Sequence, residues 1–223
     1  AERELLQGTL RGSVEVLIDV LALVNPVAFA RSLRLKRTVA ALADVLAIDD
    51  RWAVEMAAML SHLGAITVPQ EVLQRLYRGE ILSPEHRLMV SSIDDVTRQL
   101  IGHLPRLEPV REILACRDLP YDGGDQPRGF ARGEAIPIGA RLLLVVAELD
   151  ALESQGETTA NCLSLMEGHA GRYDPRILRA LHEVTGTTGP TVESREVRLA
   201  EVRVGMIFTR DVVAANGLVL IGR

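Results

Sequence analysis

The chain has 223 residues, 48% hydrophobic and 25% charged, with a formal net charge of −5. That is ordinary composition for a soluble globular protein of one or two domains, with enough chain to bury a core without disulfides or metals. The acidic balance argues against an unspecific grip on a nucleic acid polymer, the two cysteines, Cys116 and Cys162, rule out a disulfide framework and fit a reducing, cytoplasmic setting, and the apolar runs are too short to span a membrane.

Residues 2–24 read as one amphipathic helix, with Leu6, Leu10, Leu17, Leu21 and Val24 recurring at threes, fours and sevens. Glu2 and Glu4 suit its first turn, and it opens without an N-cap signal. It is therefore expected to be a linker helix at the end of a longer protein, pairing with a second copy through the Leu6/Leu10/Leu17/Leu21 stripe or burying that stripe on its own body. Asn25-Pro26 then breaks the pattern and starts a second helix over residues 26–47. Asp49 or Asp50 caps a third over 52–63. Helices follow over 70–77, 84–101 and 109–117. Gly, Pro and Asp make residues 118–139 a loop, and a strongly apolar helix covers 139–152. Two more, over 158–167 and 174–184, precede a Thr/Gly/Pro linker at 185–191. The texture then changes to alternation over 196–202, and Asn216-Gly217 between two apolar runs signals a hairpin.

The five histidines, His62, His86, His103, His169 and His182, are scattered, with no His-x-x-x-His pair. A hydrolytic metal site needs several such ligands converging on one cavity. There is no dinucleotide fingerprint, P-loop or nucleophile elbow, and neither cysteine has the spacing of a zinc or redox pair.

Six segments nevertheless stand out in chain order: Ser61-His62-Leu63-Gly64-Ala65-Ile66-Thr67-Val68-Pro69, Leu82-Ser83-Pro84-Glu85, Tyr121-Asp122-Gly123-Gly124-Asp125-Gln126-Pro127, the 136–141 stretch, Asp150-Ala151-Leu152 and Tyr173-Asp174-Pro175. Together they resemble the HD-GYP family of bacterial response-regulator output domains, the first segment being similar to its His-Asp-x-Gly-Lys-x-x-x-Pro motif and the third to its Asp-Gly-x-Gly-Tyr-Pro loop. The resemblance covers residues 25–184. It implies an all-α, HD-domain-like helical bundle, and its active members hydrolyse cyclic di-GMP at a centre of two or three metals.

At the ligand positions the chain departs from the family. Arg31 stands where the second helix opens with a ligating His, and Ser61-His62 replaces His-Asp. Ala65 replaces the Lys, Ile93-Asp94 the next His-Pro, Arg117-Asp118-Leu119 a His-His-Glu run, and Ala147 an Asp, with Glu148 next door. A metal-bound hydroxide depends on those ligands. Arg31, Ser61, His62, Ile93, Arg117, Asp118 and Ala147 are thus read as vestigial metal positions, with no catalytic residue, no bound metal and no cofactor. A rebuilt metal set of His62, Asp118, Asp122 and Glu148 is the weaker reading. Arg31, Arg34 and Arg117 are candidates to grip the phosphates of a dinucleotide, unless Arg31 or Arg117 pairs internally with Asp118 or Glu148.

The resulting expectation is an N-terminal linker helix (1–24), a degenerate HD-GYP-like domain (25–190) and a small C-terminal β-hairpin (191–223). It is expected to be a pseudo-enzyme that signals by protein–protein interaction. An upstream receiver domain, a second copy and another signalling protein such as a diguanylate cyclase are its expected partners. The alternatives are a cyclic di-GMP sensor and a metal-dependent cyclic di-GMP phosphodiesterase.

Overall fold

A computed structural model describes residues 2–124, 131–186, 212–213 and 219–221. The chain divides into two compact units, Ala1–Thr188 and Gly189–Arg223. In the second, β1 (Val212–Val213) and β2 (Val219–Ile221) pair antiparallel, with Val212 opposite Ile221. The Asn216-Gly217 turn, the 196–202 alternation and Asp125-Gln126-Pro127 lie outside the described residues.

The first unit is helical. Its elements begin where short polar side chains take up free backbone N–H groups. α1 (Glu2–Val24) and α2 (Pro26–Val45) are separated only by Asn25. The Asn25 side-chain oxygen accepts from Ala28 N at 3.2 Å, and its Nδ2 donates to the carbonyls of Ala65 and Val68, both at 3.1 Å. Asp50 caps α3 (Arg51–Leu60) through Ala53 N. A 3₁₀ turn (Leu63–Thr67) leads to α4 (Gln70–Tyr77). Ser83 caps α5 (Pro84–Ser91), which is followed by α6 (Ile93–Gly102) and α7 (Glu108–Cys116). After a short 3₁₀ turn come α8 (Ile138–Ser154), α9 (Thr159–Gly168) and α10 (Pro175–Thr185), the last two capped by Thr158 and Asp174.

α8 runs through the middle of the core. Every residue from Gly139 to Val146 is buried, as an all-round apolar helix requires. α2, α3, α7, α9 and α10 pack around it. Two charged residues are buried in α8. Arg141 meets the fully buried carboxylate of Asp174 at 2.5 Å, and Asp150 meets two arginines of α2. The 3₁₀ turn presses its backbone onto α6: a Cβ on Gly64 would stand 2.0 Å from the Ile93 carbonyl oxygen. Gly64 N also donates to Thr97 Oγ1 at 2.8 Å.

Three expectations are corrected. The single helix over 84–101 is two, interrupted at Ser92. Ser91 and Ser92 turn their hydroxyls back onto the carbonyls of Leu88 and Met89, which competes with the regular helical ladder. The third helix stops at Leu60 rather than 63, where Ser61 Oγ bonds back to Ala58 O at 2.8 Å and the chain tightens into the 3₁₀ turn. The leucine stripe of α1 is not a free seam. Leu21 and Val14 are buried on the chain's own body and Leu17 packs partly against it, while Val16, Val20, Leu23 and Val24 face solvent. The side chains of Leu6 and Leu10 lie outside the described residues. Among the described residues no helix is long and apolar enough to cross a membrane.

Candidate functional site

The end of α3, the end of α4, the start of α6, the end of α7 and one face each of α2 and α8 converge around His62. Arg31 and Arg34 stand one turn apart on α2 and both reach Asp150 on α8. Arg31 Nε lies 3.0 Å from Asp150 Oδ2, and Arg34 Nε donates to Asp150 Oδ1 at 2.6 Å with a second bond to Oδ2. A single carboxylate is thus held between two guanidinium groups. Arg31 also donates to the carbonyl of Ala147 at 3.3 Å, and its guanidinium lies 4.4 Å from the ring centre of Tyr77, a stacked cation–π contact.

On the other side, Arg117 donates to the Ser61 carbonyl at 2.8 Å and to the Asp94 carboxylate, and its Nε stands 3.6 Å from Asp118. Ser61 Oγ and His62 Nδ1 are 2.9 Å apart. The His62 ring meets Tyr77 edge-on, with centroids 6.4 Å apart. Burial first, then the charges of Arg31, Arg117 and Arg34, hold the His62 pKa well below the usual imidazole value. The ring is uncharged at neutral pH, because a fourth cation in a poorly solvated neighbourhood beside three arginines is unfavourable.

Arg31, Ser61, His62, Arg117 and Ala147 therefore share one neighbourhood, with Ile93 in the core beside it and Asp118 at its exposed edge. The internal pairing expected for the arginines is corrected in its acids: Arg31 takes Asp150, and Arg117 takes Asp94 ahead of Asp118. Glu148 instead pairs with Arg172 at 3.4 Å, and Asp122 accepts from Gly124 N in its own turn. The set His62, Asp118, Asp122 and Glu148 is not brought together. Sequence reasoning missed Asp150, Asp94 and Tyr77 as site residues. Asp150 had a signal, an acid inside a strongly apolar helix one turn beyond Ala147; Tyr77 had none. A cavity of about 610 Å³ lies away from this site against α3, α7 and the start of α8.

The residues present do not fit a divalent metal as arranged. Asp150 and Asp94, the carboxylates facing the space, are engaged by guanidinium groups, which cannot give up their charge. Among the described residues no three His, Cys, Asp or Glu side chains stand together so as to hold a metal ion. What the arrangement offers is hydrogen-bond donors and positive charge.

A family model described as HD domain matches residues 15–177, and the chain belongs to that family. It is 34% identical over 135 residues to the cyclic di-GMP phosphodiesterase response regulator RpfG of Xanthomonas campestris pv. campestris (strain 8004), a match covering 57% of this chain and 35% of that protein. The chain thus spans about a third of the length of this curated relative. Two solved structures share the fold. One is Bd1817, a HDG"Y"P protein from Bdellovibrio bacteriovorus, at 18% identity and a TM-score of 0.52, covering 70% of this chain and 51% of that one. The other is the HD domain of the L. monocytogenes phosphodiesterase PgpH in complex with cyclic-di-AMP, at 12% identity and a TM-score of 0.52, covering 82% and 99%.

Two of these relatives overturn the expectation of a pseudo-enzyme: RpfG and PgpH are named phosphodiesterases. The expectation weighed each motif position singly for a lost ligand.

Proposed function

We propose that this chain is the output domain of a response regulator and that it recognises cyclic di-GMP at the site between α2, α4 and α8. The observation that carries this reading is the crowding of Arg31, Arg34 and Arg117 around an uncharged His62. Guanidinium forks suit phosphate oxygens, which they bind in pairs. Each phosphodiester of a cyclic dinucleotide carries one negative charge for such a fork. The Asp150 carboxylate already occupies Arg31 and Arg34 as a phosphate would, so ligand entry exchanges one anion for another. The name of the relative RpfG supports both the nucleotide and the regulator setting.

In this reading residues 1–24 link the body to a receiver domain upstream, residues 25–190 form the HD domain, and residues 191–223 are an extension. α1 has one face on the body and a second apolar face, Val16, Val20 and Leu23, in solvent. The 4-3 spacing of those three residues matches a coiled-coil seam, and a second copy of the chain pairs there. A signalling protein such as a diguanylate cyclase then reads the surface of the body.

Calorimetric titration of cyclic di-GMP with Mg²⁺ and Mn²⁺ present, followed by product analysis, tests the reading. Saturable heat in the wild type that disappears in the Arg31→Ala, Arg117→Ala double variant is the expected result. Continuous heat stopped by EDTA adds metal-dependent turnover to recognition. A flat wild-type trace overturns the nucleotide reading. Light scattering of wild type against Val20→Glu tests the pairing, which is refuted if both are monomers.

A further inference from the structure

We infer that Tyr77 is a ligand-contacting residue of this site, its hydroxyl donating to a phosphate oxygen beside the one that Arg31 takes. This rests on the proposed reading of the site as a nucleotide site.

Tyr77 closes α4, and its ring lies between two of the groups already described. The Arg31 guanidinium stacks on its face at 4.4 Å, and the His62 ring abuts it at close to a right angle. Its hydroxyl is buried and finds no acceptor within the protein; the side chain it reaches, the Arg31 guanidinium, is itself a donor. Arg31 Nε is buried and unbonded as well; it stands 3.0 Å from Asp150 Oδ2 without the alignment of a hydrogen bond. Buried side-chain donors almost always find an acceptor. Here two that lack one belong to side chains stacked on each other, at the edge of the space where three arginines gather.

The missing acceptor has to be small enough to reach both donors and anionic enough to lie against a guanidinium. A non-bridging oxygen of a phosphate group meets both conditions, since it accepts several hydrogen bonds at once. Burial, the larger influence, raises the Tyr77 pKa even though Arg31 lowers it. The hydroxyl therefore carries its proton at neutral pH and acts as a donor. The contact adds a directed hydrogen bond to a site otherwise built from charge, so it discriminates a tetrahedral phosphate oxygen from a mere anion.

The test compares wild type with Tyr77→Phe, which keeps the ring, the stacking and the packing. The probes are cyclic di-GMP and inorganic phosphate, each titrated calorimetrically, and the melting temperature is measured without ligand. Affinity for cyclic di-GMP is expected to fall about tenfold in Tyr77→Phe, the effect of a hydrogen bond to a charged group. Inorganic phosphate should weaken in parallel, and the melting temperature should not fall, because the hydroxyl proton has no acceptor in the protein to lose. Equal affinity in the two proteins overturns the inference. So does a lowered melting temperature, which assigns the hydroxyl a structural bond. A loss confined to cyclic di-GMP, with phosphate unchanged, overturns the phosphate assignment and moves the contact to base or ribose. If wild type binds neither probe, the nucleotide reading itself fails; if it binds and Tyr77→Phe binds equally, only the role of Tyr77 does.

Discussion

Asp174→Asn isolates one charge in the core. Asp174 has two tasks: it accepts from Arg176 N at 2.9 Å to start α10, and it neutralises Arg141, which is 7% exposed. Asparagine caps a helix about as well as aspartate, so the first task survives the change. The second does not, and Arg141 is left as a buried charge without its counter-ion. Breaking a buried pair in this way costs about 3–5 kcal/mol. For a domain of this size that lowers the melting temperature by roughly 6–20 °C. Thermal and urea unfolding followed by circular dichroism at pH 7 measures it, and Arg141→Met added to Asp174→Asn should restore most of the loss. The pH dependence provides a second check. Burial works to raise the Asp174 pKa, but the Arg176 backbone N–H and the side chains of Arg176 and Arg141 bring it below the ordinary carboxylate value. A depressed folded-state pKa gives stability that is present above the unfolded value, near ~3.9, and is lost as pH falls through the folded one. Wild type should shed this contribution below about pH 4, and Asp174→Asn should not. A loss under about 1 kcal/mol at pH 7 refutes the assignment of a buried ion pair that matters.

Gly64→Ala forces a methyl group to within 2.0 Å of the Ile93 carbonyl, and since backbone cannot rotate away, destabilisation by about 3 kcal/mol is expected in urea unfolding. Asn25→Ala removes the cap of α2 and the donor to the Ala65 and Val68 carbonyls, for a loss of roughly 2–4 kcal/mol by the same assay. His62 takes up a proton in the unfolded chain below about pH 6.5 but resists it when folded, so stability should decline below that pH by about 1.4 kcal/mol per unit. His62→Gln should flatten that slope, and a slope left unchanged shows that another group carries it.

Most helix starts were legible because their causes are local. Asn25-Pro26, Asp50, Ser83-Pro84, Thr158 and Asp174-Pro175 each write a cap within four residues. The break at Ser92 was less legible, since it depends on two serine hydroxyls turning inward rather than outward. The two apolar faces of α1 could not be ranked from the sequence: both have helical spacing, and only the body determines that Leu21 is covered and Leu23 is not. The site was legible as a set of positions but not as a set of bonds. Arg34 and Asp150 lie 116 residues apart, and no local pattern states that an arginine on α2 will choose Asp150 over Glu148. Tyr77 shows the same limit, for nothing within α4 distinguishes a tyrosine that packs from one that waits for an acceptor.

The junction at Asn25 ties α1 to the site. One side chain binds the first turn of α2 and two carbonyls of the 3₁₀ turn, and Ala65, in that turn, donates its N–H to the carbonyl of His62 at 2.9 Å. The junction therefore sits two hydrogen bonds from the site. Leu21 and Val14 are seated on the same body, so α1 does not pivot on Asn25 alone: at 1.5 Å per residue Val14 stands about 16 Å along the helix from the junction, and a tilt of ~5° would carry it ~1.4 Å out of its packing. A push on α1 is therefore borne by core packing and by the Asn25 bonds together.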